Sequence, residues 1–69
     1  MIAEGTEIIV IPSAALTELR LDGLLGESGV VLEDLNFDER TQKGYMVLFP
    51  QTFKNEFVWF IPQESAYHE

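Results

Sequence analysis

The chain has 69 residues, no cysteine, 46% hydrophobic residues and a formal charge of −8 from 12 acids against 4 bases. That length supports one core without disulfide staples, and a domain of this size buries only about 60% of the surface its unfolded chain exposes. The charge repels phosphate backbones and anionic lipid surfaces, which excludes ordinary nucleic-acid and membrane binding and favours a cationic partner.

The opening, MIAEGTEIIVIP, has no basic segment ahead of its apolar run, and that run, Ile8 to Ile11, is too short for a secretory core or a membrane span. A cytoplasmic location is the expectation. No repeat or low-complexity tract interrupts the chain, so a single domain over 1–69 is expected.

TEIIVIP is β-branched and stops at Pro12, which predicts a strand. Ser13 is placed to cap a short helix over Ala14 to Leu19, and Asp22-Gly23 and Gly26 break it within a long excursion. GVVLEDLNF from Gly29 and GYMVLFP from Gly44 to Pro50 are strands joined by the polar DERTQKG, a hairpin pattern in which Arg40 and Lys43 can share one loop. QTFKN makes a short connection containing Asn55, and EFVWFIP follows as a further strand. PQESAYHE predicts a 3₁₀ turn and a last short strand through Tyr67. The expected class is all-β, a small barrel or sandwich of four to five short strands whose long first loop holds at most a short helix.

Alternation in the third strand puts Tyr45, Val47 and Phe49 on one face and Met46 and Leu48 on the other. In the fourth, Phe57, Trp59 and Ile61 alternate with Val58 and Phe60. Both faces are apolar, which requires a sheet that curls on itself, a cover from the 13–28 loop, or a second subunit. Trp59 belongs to the core if the first set points inward, and exchanges roles with Phe60 if a bulge shifts the register.

The order of these motifs resembles the small bacterial SH3-like β-barrel proteins, of the KOW type and the photosystem I SH3-like subunit type. Gly29, Val30 and Val31 correspond to the Gly-x-Val that opens the second strand, and Tyr45, Val47 and Phe49 to the aromatic-x-Val-x-Phe of the third. The resemblance spans nearly the whole chain and implies an SH3-like barrel. Pro62 and Tyr67 also lie near the positions that eukaryotic SH3 domains use around their final 3₁₀ turn.

Motifs that carry chemistry are incomplete. Asp34, Asn36 and Asp38 match the first three ligands of a calcium loop, but Glu39 stands where the loop needs glycine and Tyr45 where it needs glutamate, so a strand end is expected instead. Paired carboxylates such as Glu33 and Asp34 point to opposite faces of a strand, and His68 sits beside the C-terminus. Ser28 lacks a Gly-x-Ser-x-Gly frame, and Gly23, Gly26 and Gly29 lack the order of a phosphate loop. No catalytic set, cofactor or metal is expected, and the chain reads as a non-enzyme.

Eight aromatics, Phe37, Tyr45, Phe49, Phe53, Phe57, Trp59, Phe60 and Tyr67, exceed what one small core holds beside its aliphatics. Two or three of Phe53, Trp59, Phe60 and Tyr67 are therefore expected in a surface patch rimmed by Glu56 and Glu64. Such a patch suits a basic or apolar segment of a protein partner, or a second copy of the chain. An alternative function, an acidic nucleic-acid mimic that blocks a nucleic-acid-binding protein, requires carboxylates in a row with phosphate-like spacing.

Overall fold

Five strands form one antiparallel sheet in a computed structural model that describes residues 2–68. They are β1 (Glu7–Val10), β2 (Ser28–Asp34), β3 (Gly44–Phe53), β4 (Glu56–Pro62) and β5 (Ala66–Tyr67), with the short helix α1 (Ala14–Glu18) after β1. The strand order is β4-β3-β2-β1-β5. Since β4 and β5 are the two ends of that order and are joined only by the 3₁₀ turn Gln63–Ser65, the sheet curls into a half-barrel. The all-β, barrel-like class expected from the sequence is the one present, with five strands and little helix.

Period-two alternation decides what is inside. Ile8 and Val10 of β1, Val31 of β2, Tyr45, Val47 and Phe49 of β3 and Ile61 of β4 share one face and are buried together. The register confirms the common face, because Val31 pairs with Val47 and Tyr45 with Ile61. Glycines at two buried strand positions permit close approach, Gly29 on the inner face and Gly44 on the outer: a Cβ on Gly44 would overlap the Ile61 carbonyl oxygen and the Phe60 ring, and one on Gly29 would press on Val47 and Phe49.

Of the three ways to hide two apolar faces, the 13–28 excursion takes the inner one. Leu16, Leu21 and Leu24 drop from it into the core and close the open side of the half-barrel. Its start is anchored twice: Ser13 Oγ accepts from the Leu16 N–H at 3.1 Å as the cap of α1, and shares a 2.6 Å hydrogen bond with the fully buried Ser65 Oγ. Its return is held by the Gly26 N–H donating to Val10 O and the Val10 N–H donating to Glu27 O. Its buried leucines pack on the inner side of the sheet.

Three local expectations are corrected. β2 ends at Asp34 rather than running to Phe37, because the Asp34 carboxylate accepts from both the Asn36 N–H and its Nδ2, turning the chain out of the sheet. β3 runs past Pro50 to Phe53, so the turn is Lys54-Asn55, both at positive φ. Pro50 is tolerated because the β3–β4 register shifts between Leu48 and Phe53, where β3 carries unpaired residues. A 3₁₀ turn at Asp22–Leu24 also replaces the simple break expected there.

Candidate functional site

The outer face is built by the same alternation, one residue out of step with the core. Glu7, Val30, Leu48 and Val58 lie directly opposite one another across β1, β2, β3 and β4. Val30, Leu48 and Val58 remain 38%, 40% and 37% exposed. Beside this row run Glu33, Met46 and Phe60, and on its other side Tyr67, Ile9 and Ser28. Apolar side chains thus extend over all five strands.

Two shallow apolar grooves result. The first, of about 480 Å³, lies on the outer face between Val30, Leu48, Pro50 and Phe57, and among the described residues of its lining Glu7 is the charged one. A neighbouring hollow under Tyr67 and Ile9 shares Glu7 and Ser28 with it. The second, of about 440 Å³, lies between the 13–28 excursion and the 35–43 loop, with Leu19 and Leu21 on one side, Leu35 and Met46 on the other, and Trp59 and Phe60 along β4. Among the described residues of its lining, Arg40 is the charged one.

Arg40 is held by neighbours. Its Cζ stands 5.4 Å from the Phe60 ring centroid and 6.0 Å from that of Phe37, and its Nε–H donates to the Gln42 carbonyl at 3.0 Å. Cation–π attraction and one hydrogen bond through Nε–H orient the guanidinium, whose amino groups take no part in that bond.

The residues singled out for a partner patch are distributed over several places. Trp59 pairs with Val47, so it points inward and packs against the core at half burial, with Phe53 edge-on at 5.5 Å and its Nε1–H donating to Glu56 O at 3.1 Å. Phe60 pairs with Met46 on the outer face under Arg40. Tyr67 lies on β5 beside Ile9, 48% exposed. Glu56 is exposed at the start of β4, and Glu64 in the 3₁₀ turn before β5. The structure brings Phe53, Trp59 and Glu56 together, places Phe60 next to Trp59 at the second groove, and sets Tyr67 at the other end of the strand order.

Phe57 departs from its alternation set: it shares parity with Trp59 and Ile61 yet is 50% exposed, because it lies where β3 loses register. Sequence reasoning missed Glu7, Val30 and Leu48 as one surface, although Val30 and Leu48 are each one residue out of step with a core valine. Among the described residues, no group of three or more histidines and carboxylates is placed to hold a metal ion, and no helix is long and apolar enough to cross a membrane. No protein-family model matches the chain, and neither does a curated protein or a solved structure.

Proposed function

We propose that the domain is a non-catalytic protein-interaction module, or a small accessory subunit, that holds a basic, apolar segment of a partner protein on the outer face of its sheet. The observation that carries this reading is the row Val30, Leu48 and Val58, exposed side by side and ending at Glu7. Isolated exposed apolar residues are ordinary on a protein surface, but a row spanning three strands is a docking surface in form. Glu7 beside the row offers a partner lysine or arginine its counter-charge, and the −8 field of the whole chain speeds the approach of a cation. Phe57 and Tyr67 supply the aromatic area at either side of Glu7.

The test is a titration of isotope-labelled protein with an extended peptide of alternating valine and lysine, and with the same peptide carrying glutamate for lysine. The lysine peptide is expected to shift the Glu7, Val30, Leu48 and Phe57 resonances and to weaken in high salt, and the glutamate peptide to do neither. Equal binding of the two peptides would sink the reading. Light scattering at low and high salt accompanies it: a dimer that persists in high salt assigns the face to a second copy of the chain.

A further inference from the structure

The second groove has a chemistry opposite to the first, and it involves none of the residues that carry the proposal above. We infer that this groove is a binding site for a small apolar monocarboxylate, with the carboxylate on Arg40 and the hydrocarbon against Trp59, Phe60 and Leu21.

The Arg40 guanidinium is already oriented before a ligand arrives, by the Phe60 and Phe37 rings and by the Gln42 carbonyl. Preorganisation of this kind reduces the side-chain ordering that binding otherwise requires. The Nε–H is taken up by the Gln42 carbonyl, which leaves the amino-group N–H donors for an acceptor with two oxygens in a plane. A carboxylate matches that fork, and a guanidinium is the cation best suited to act beside aromatic faces.

The rest of the lining selects what the carboxylate is attached to. Leu19, Leu21, Leu35, Met46, Trp59 and Phe60 are apolar, with Gln42 as the one uncharged polar side chain. A few polar groups in a mostly apolar concavity is the usual composition of a small-molecule site, and about 440 Å³ lies within the usual size range. One cation neutralises one negative charge. A dicarboxylate or a phosphate dianion would bring a second charge with no partner in the lining, against a chain of net charge −8. An amine would meet the guanidinium as a like charge.

The chain's only tryptophan lines the groove and reports on it. Octanoate and octanol are titrated separately against the intact protein, following Trp59 fluorescence and the Arg40 Nε–H resonance. Octanoate is expected to bind at least tenfold more tightly than octanol and to move the Nε–H signal. Arg40→Gln should remove that preference while leaving circular dichroism unchanged, and Arg40→Lys should retain only part of it. Equal affinity for acid and alcohol, or an acid preference that survives in Arg40→Gln, overturns the inference. Should Arg40→Gln fail to fold, the comparison of acid with alcohol on the unsubstituted protein decides alone. Leu48→Thr is expected to leave octanoate binding intact, so loss of the outer-face reading and loss of this one are separately visible.

Discussion

The inner and outer faces of the sheet are made from nearly the same side chains, offset by one residue. Val31 is 1% exposed and its neighbour Val30 38%, and Val47 is fully buried while Leu48 is 40% exposed. On the inner face apolar chemistry is required, since each of these residues packs into the one core. On the outer face it is not, because a threonine would serve a half-exposed strand position equally well. The contrast teaches that core membership is set by register, and that the core does not require apolar residues at the outward positions.

The largest expected effect separates the faces by stability. Ile61→Ala, at a fully buried position opposite Tyr45, should cost about 2–5 kcal/mol in denaturant unfolding. Val58→Ala, on the same strand but facing out, should cost about 0.5 kcal/mol or less. Equal losses at the two sites would mean that the outer face is packed in solution. Gly44→Ala comes next: its Cβ meets the backbone carbonyl of Ile61 as well as the Phe60 ring, and the backbone does not yield, so about 1–3 kcal/mol of overpacking is expected, with the midpoint lowered and the denaturant slope kept.

A smaller effect tests the cover of the inner face. Ser13→Ala removes both the α1 cap and the partner of the buried Ser65 hydroxyl, and about 1 kcal/mol is expected from the lost cap. Hydrogen exchange should accelerate in 13–28 while the β2–β3 pairing stays protected, because the excursion covers one face without contributing strands to the sheet. Acceleration spread evenly over the sheet would show that cover and sheet open as one unit.

How far the sequence was legible follows the same division. Tyr45, Val47 and Phe49 alternate with residues that are distinguishable only by position; period two put all three on one face, and the fold makes that face the inner one. The capped helix after Ser13, and the 3₁₀ turn and short strand after Pro62, were legible because turn and cap chemistry is local. The fourth strand was legible as a strand but its parity was not, since five consecutive apolar residues from Phe57 to Ile61 fit either parity until the pairing of Val47 with Trp59 fixes it. The exposure of Phe57 depends on extra residues in β3, a property of two strands that neither displays alone. Glu7 becomes part of a site only through its place opposite Val30, and Arg40 only through the fold of the 35–43 loop onto Phe60, so a scan of single motifs passes over both.

The smallest effect on stability is the sharpest test of the comparison. Val30→Thr and Leu48→Thr, made together, keep β-branched or strand-compatible side chains and remove apolar area from the centre of the outer row. Each surface substitution should move stability by about 0.5 kcal/mol or less. Binding should change far more, because truncation at the centre of an interface removes the contacts that water is excluded from, whereas a rim charge mainly alters the association rate. The expected pattern is an unfolding midpoint close to that of the parent and loss of the valine–lysine peptide shifts at Phe57, with Glu7→Gln giving slower association and a weaker salt dependence. If the double variant instead loses several times the stability expected of surface sites and still binds, the outer row belongs to the energetics of folding, and the distinction between the two faces fails.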